Sequence, residues 1–195
     1  MDLKGKKIIL SSTSPRRETL LKGLDIDFKV DCRTHFKESY GKDTPIEEIP
    51  ALMSEGKSKG FHRDLKENEI LITADTMVYV DGKVLGKPHD HKASIDMLRE
   101  LSGKRHKVIT AVTIRDNHRS ETFTDTSCVF FKDLSEEEID YYVSKYKPYD
   151  KAGSYGIQEW IGYIGITKIE GSFCNIMGLP VHKVYRELQK FIEKT

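Results

Sequence analysis

The chain has 195 residues, which at about 150 residues per domain leaves room for one domain or two small lobes. Lysine and arginine number 32 against 31 aspartate and glutamate, a net charge of +1, so neither a strongly basic nucleic-acid binder nor an acidic disordered tail fits. The longest unbroken apolar runs, Met77 to Val80 and Cys128 to Phe131, are far shorter than the ~20 residues of a membrane span. No signal-peptide core follows the first seven residues. Cys32, Cys128 and Cys174 lack any C-x-x-C spacing, which argues against a disulfide framework or zinc knuckle. The expectation is a soluble cytoplasmic globular protein.

Strand and helix signals alternate, which predicts an α/β architecture. Lys7 to Ser11 reads as a strand, and Ser14-Pro15 as the cap and first position of a helix carrying Leu20, Leu21 and Leu24. Phe28 to Asp31 is a second strand. Thr44-Pro45-Ile46-Glu47 fits a capping box, with Pro50 interrupting, so a short turn and then a helix over 51–61 are expected. Ile70 to Thr73 predicts a strand buried on both faces. Met77 to Val80, Asp81-Gly82 and Lys83 to Leu85 predict a two-residue hairpin. A helix follows over 93–101, with Gly103 as its stop. Strands over 108–115 and 122–131 flank Asp116-Asn117-His118. Ser135 to Glu138 is a second capping box opening a helix to about residue 144. A strand over 164–169 and a helix from Pro180, with Val181, Val184, Tyr185, Leu188 and Ile192 on one face, close the chain.

Five stretches could carry chemistry. Ser11 to Arg17 joins four hydroxyl residues to a helix start with two arginines, a phosphate site or an ordinary cap with solvated arginines. In Ala74-Asp75-Thr76, Asp75 is either an acid at the mouth of a central strand, able to hold a metal or take a proton from water, or a turn residue. Lys87, between Gly86 and Pro88, is a candidate phosphate charge or a solvated loop lysine. Lys57 is weaker, since a solvent-facing helical lysine is the default. Asp150 to Gln158 is glycine-rich, and the Gln158 amide can pair with a base edge, although a plain connecting loop has the same composition. His89-Asp90-His91 looks like a metal clip, but alternation seldom turns three groups inward. Cys128 reads as core, Cys174 lacks an activating partner, and Trp160 as packing. Neither a Walker loop nor G-x-G-x-x-G is present. Cations facing an acid suggest a polyphosphate, a divalent metal and an activated water.

In order along the chain, Ser12-x-Ser14-Pro15-Arg16-Arg17, Ala74-Asp75-Thr76, Gly86-Lys87-Pro88, Leu101-Ser102-Gly103, Asp150 to Gln158, Ile169 to Ser172 and Gly178-Leu179-Pro180 resemble the motifs of the Maf family. The resemblance runs from about Ile8 to Leu188. It implies a single Maf domain over 1–195 with an ITPase-like α/β fold: a twisted mixed sheet flanked by helices, two lobes around a central cleft. It also implies a nucleoside triphosphate pyrophosphatase, cutting between the α- and β-phosphates with Mg²⁺ or Mn²⁺, and a homodimer. The implied catalytic base is Asp75. The implied phosphate-binding positions are Ser12, Arg17, Lys57 and Lys87. Arg16, Thr76 and Gln158 match the dTTP/UTP-type branch, whereas the 7-methyl-GTP branch has tryptophan and glutamine at the first two places.

Two positions depart from the pattern. Glu159 replaces the usual glycine. Glu38, the second metal carboxylate matched by the resemblance, stands among the basic Arg33, His35, Lys37 and Lys42 rather than in an acidic cluster. A nucleotide-sensing regulator of septum formation and cell division, which binds without consuming, a pyrophosphatase for another nucleotide such as 7-methyl-GTP, and a phosphatase releasing inorganic phosphate are the competing readings. Nucleic acid and membrane are not expected partners. The pyrophosphatase reading requires Asp75 to reach solvent.

Overall fold

The computed structural model describes residues 1–41 and 43–194, so Lys42 of the basic cluster lies outside the described residues. Seven strands form one mixed sheet: β1 (Lys7–Leu10), β2 (Phe28–Val30), β3 (Glu69–Val80), β4 (Lys83–Leu85), β5 (Arg105–Arg115), β6 (Ser120–Phe131) and β7 (Ile166–Glu170). Their order is β2-β1-β3-β5-β6-β7, with β4 paired to β3. The helices are α1 (Pro15–Lys22), α2 (Ile49–Lys59), α3 (His91–Leu101), α4 (Glu136–Tyr146), α5 (Trp160–Gly165), α6 (Phe173–Met177) and α7 (Val181–Glu193). This is the mixed α/β sheet flanked by helices that the sequence predicts. Among the described residues no helix is long and apolar enough to cross a membrane.

The chain divides into two compact units, and β3, β5 and β6 contribute residues to both. The first comprises Met1–Asp75, Thr110–Asp125 and Gly178–Thr195. Here β1 pairs in parallel with β2 and β3, and the period-two alternation of a strand divides its apolar residues between the two faces. Ile8, Leu10, Ile70, Ile72 and Ala74 enter a cluster with Leu21 of α1 and Val184, Leu188, Phe191 and Ile192 of α7. Ile9 and Leu71, on the alternate positions, pack with Phe61 and Leu65. The α7 residues recur at helical spacing, and the loss of water from that stripe is what holds the helix down.

The second unit comprises Thr76–Ile109 and Thr126–Met177. The predicted hairpin is present: Asp81 and Gly82 have φ of 48° and 76°, the left-handed values a two-residue turn demands. Val80 then pairs with Lys83. Ser135 accepts from the Glu138 amide while Glu138 reaches back to the cap, completing the predicted box at α4. The core gathers Val78, Val80, Leu98, Leu101, Val129, Tyr142 and Ile161 among others.

Several expectations are corrected. No side-chain bond caps the stretch after Pro45; a 3-10 turn over Ile46–Glu48 runs directly into α2, with Pro50 in its first turn. Proline there lacks only an N–H that has no helical partner, so it starts the helix rather than breaking it. The last strand begins at Ile166 because 160–165 coil into α5. Asp90 caps α3 by accepting from the Ala93 amide at 2.8 Å, which gives the His89-Asp90-His91 stretch a structural explanation.

His106, 1% exposed, meets Tyr155 Oη through Nε2 at 2.8 Å and leaves Nδ1 without a hydrogen bond. Burial lowers its pKa to about 4. The unfolded chain therefore binds a proton that the folded one refuses between about pH 6.5 and 4. Stability present above that window should fall through it by about 3 kcal/mol in all. Urea titrations at pH 7 and pH 4.5 should show the loss, and His106→Gln, which cannot titrate, should flatten it.

Candidate active site

Asp75 stands inside the continuous strand β3, not at a strand mouth or in a turn. Strand alternation places Leu71, Thr73 and Asp75 on one face, and α2 meets two of them in register. Ser54 Oγ donates to the Thr73 carbonyl at 3.2 Å, Thr73 Oγ1 donates to the Ser54 carbonyl at 2.8 Å, and Ser54 also bonds Thr113 Oγ1 at 2.9 Å. Three residues further along the same helix face, Lys57 Nζ donates to Asp75 Oδ1 at 2.5 Å. Arg115 secures the next turn by donating to Ser58 Oγ and the Ser58 carbonyl. A buried polar ladder thus fixes which lysine faces the acid.

Glu38 arrives by a different device. A Cβ on Gly56 would lie 2.2 Å from the Phe36 ring, and one on Gly60 would lie 2.7 Å from Phe36 Cβ. The two glycines, Gly56 in α2 and Gly60 just past its end, leave the space that Phe36 fills. The His35 amide and Thr34 Oγ1 both donate to the Gly60 carbonyl, at 2.8 and 3.0 Å. The segment so docked brings Glu38 Oε1 to 2.8 Å from Lys57 Nζ. One lysine therefore bridges two carboxylates, and the basic residues around Glu38 in sequence do not prevent it. Nothing in the local sequence marks Gly56 and Gly60; the signal is their helical spacing.

Arg17 comes from the first turn of α1. Its Nε donates to the Gly178 carbonyl at 2.8 Å and Nη1 to the Ala74 carbonyl at 2.9 Å, fixing the guanidinium beside Asp75. Loss of solvent lowers its pKa, and the Asp75 charge acts in the opposite direction. Ser14 caps α1 by backbone conformation without a side-chain bond. Ser12 Oγ accepts from the Ser14 amide instead, at 3.1 Å. Arg16 is half-buried in the same turn.

Asp75 is 7% exposed, and its Oδ2 is buried without a hydrogen bond. Desolvation raises its pKa, outweighing the opposing pull of Lys57 and then Arg17. The expectation of an acid open to solvent is therefore corrected: β3 carries Asp75 into the interior, and the acid is closed off as it stands. An orphaned buried carboxylate oxygen beside a second carboxylate suits a hard divalent cation, which binds oxygen donors. Among the described residues no three His, Cys, Asp or Glu side chains gather. Two carboxylates completed by substrate phosphates is a common arrangement for Mg²⁺.

The remaining candidates lie in the second unit. Thr76 follows Asp75 in β3, so its side chain leaves the opposite face. Lys87 is exposed. The loop preceding it is tied by the Gly153 amide, which donates to the Gly86 carbonyl at 3.1 Å. Gln158 is half-buried, and its Oε1 is buried without a hydrogen bond. Lys151 and Tyr142, not singled out from the sequence, converge on Glu159. Trp160 packs edge-on against Tyr141 at 4.8 Å. Burial raises the Cys174 thiol pKa, the reverse of activation.

The chain is similar to several known proteins. A dTTP/UTP pyrophosphatase of Bacteroides thetaiotaomicron is 52% identical over 94% of this chain and 95% of its own. One of Porphyromonas gingivalis is 49% identical over 98% of each chain, and one of Christiangramia forsetii is 48% identical over 97% and 96%. A HAM1 protein structure from Coxiella burnetii overlays at a TM-score of 0.46 and 11% identity, covering 96% of this chain and 99% of that one, too distant to carry weight. The Maf-like protein family description matches residues 7–191. With the acid, its lysine and the neighbouring arginine inside that span, the chain belongs to the Maf family.

Proposed function

We propose that this protein hydrolyses dTTP and UTP to the nucleoside monophosphate and pyrophosphate. The observation that carries the reading is the buried Asp75, joined to Lys57 and flanked by Arg17, in a chain about half identical to proteins named dTTP/UTP pyrophosphatase. Asp75 orients a water and accepts its proton as the water oxygen attacks the α-phosphorus; the bond to the bridging oxygen breaks and pyrophosphate leaves. Raised by burial, Asp75 is a stronger base than an exposed aspartate. Arg17, Lys57 and Lys87, with Ser12, take the phosphate charge. Arg16, Thr76 and Gln158 select the base.

Asp75 and Glu38 would hold Mg²⁺ or Mn²⁺, which would offset triphosphate charge that Arg17 and Lys57, already facing two carboxylates, leave unbalanced. The reading requires that Asp75 Oδ2, buried as it stands, be uncovered when metal and nucleotide bind. The protein acts in the cytoplasm as a homodimer.

A panel of nucleoside triphosphates assayed for pyrophosphate with and without Mn²⁺ tests the activity. Release from dTTP and UTP is expected; dTTP bound but unconsumed would mark a sensor, and inorganic phosphate instead of pyrophosphate would mark a phosphatase. Gln158→Ala should change the ratio of dTTP and UTP to GTP turnover more than it lowers the maximal rate. An unaltered profile would remove Gln158 from base selection.

A further inference from the structure

Glu159 follows the residue assigned to the base, and its half-buried carboxylate is held in a set of protein contacts. The Tyr142 hydroxyl donates to Glu159 Oε2 and accepts from the Gly156 amide at 3.0 Å. Lys151, itself 9% exposed, places Nζ 3.1 Å from Glu159 Oε1 and 2.8 Å from Asp150 Oδ1. The Glu159 side chain folds back across its own turn: a Cβ on Gly156 would lie 2.7 Å from Glu159 Cδ and 2.9 Å from Oε2. The Glu159 amide donates to the Gly156 carbonyl at 3.0 Å, closing the turn over Ile157 and Gln158. Ile157 is buried at 5% and anchors it from inside. Every contact of this set lies in the second unit.

We infer that Glu159, held by Tyr142 and Lys151, is a positioning residue that fixes the Gly156–Glu159 turn and so sets where the Gln158 amide is presented to the pyrimidine. The inference rests on the base-selecting role given to Gln158. A uracil or thymine ring offers an N–H donor beside carbonyl acceptors, which an amide matches with its oxygen and its NH₂. Cytosine reverses part of that pattern. Gln158 Oε1 is a buried acceptor without a protein donor, so it suits a ring N–H as long as the backbone below does not shift. A charged, hydrogen-bonded clamp, with Lys151 buried and Glu159 half-buried, supplies that rigidity at a desolvation cost that packing alone would not incur. Burial, and next the Glu159 carboxylate, raise the Tyr142 pKa, so its hydroxyl stays protonated and keeps donating.

The test compares Glu159→Ala, Tyr142→Phe and Glu159→Gln with the unaltered protein, measuring kcat and KM for dTTP, UTP and CTP beside Tm. Glu159→Ala and Tyr142→Phe should raise KM for dTTP and UTP about tenfold with a smaller change in kcat, and narrow the preference for UTP over CTP. Glu159→Gln still accepts from Tyr142 and should recover most of that preference. Should Glu159→Ala fail to fold, Tyr142→Phe, which removes one oxygen, decides the matter. Folded variants with the original KM and UTP:CTP ratio, or with losses equal on all three nucleotides, would overturn the positioning role. If the unaltered protein releases no pyrophosphate from dTTP or UTP, the activity reading fails separately. Calorimetric affinities for dTTP and dCTP then decide the positioning role on the same criteria.

Discussion

Asp75→Asn should lower pyrophosphate release from dTTP by at least about 10³-fold, within the range expected for loss of a positioned base. The fold should survive and gain stability at neutral pH. The native pKa of Asp75 is raised by desolvation, so the folded chain binds a proton more readily than the unfolded one. Its contribution to stability is full below the ordinary aspartate pKa and is lost as pH rises through the native value. Asparagine keeps the shape, can still accept from Lys57, and has no charge to desolvate. The Tm of the variant should match that of the unaltered protein in acid and exceed it increasingly toward neutrality. An acid that catalysis needs and stability does not is the usual trade at an active site. A variant that keeps most of its turnover would remove Asp75 from the mechanism; one that unfolds would make the acid structural.

Where local chemistry decides a conformation, the sequence is legible. Asp81-Gly82 can close a two-residue turn by itself, and Ser135 with Glu138 needs no distant partner to cap α4. The continuity of β3 is not legible in this way. Asp75 and Thr76 interrupt the apolar run and invite a break after Thr73, yet the strand carries through them because Lys57 neutralises the acid from across α2. A distant residue overrides local strand preference. Helix α5 is hidden for a related reason. The sequence predicts a strand that starts at 164 and runs through Gly165, and Gly162 discourages a helix before it, but a Cβ at Gly162 would lie 1.9 Å from the Ile157 carbonyl, so Gly162 is there for close packing rather than freedom.

The site divides along the same line. The motifs single out Asp75, Arg17, Lys87 and Gln158 as residue types, and the family resemblance adds Lys57. They do not reveal that Phe36 docks into glycine gaps to deliver Glu38, or that Tyr142, fourteen residues before Gly156, holds its amide. Such partners are set by tertiary packing, and a single chain read in order carries no signal for them beyond helical spacing.

Lys57→Met should reduce turnover and move the acid limb of the kcat/KM profile to higher pH. With the lysine gone, Asp75 and Glu38 lose the cation they share, and the charge that holds the Asp75 pKa down is removed. The base form then needs a more alkaline solution to appear. At neutral pH the variant should lose stability on the order of 2 kcal/mol, less than the about 3–5 kcal/mol of a fully buried pair, because Lys57 is 21% exposed and Asp75 can take up a proton instead. The loss should deepen as pH rises, since the stranded carboxylate costs most when ionised. Adding Asp75→Asn to Lys57→Met should restore most of the stability and none of the turnover, a non-additive pair that urea titration and pyrophosphate assay read independently. If the single variant keeps the original pH profile, Lys57 binds phosphate without tuning the acid, and the 2.5 Å contact has no part in the chemistry.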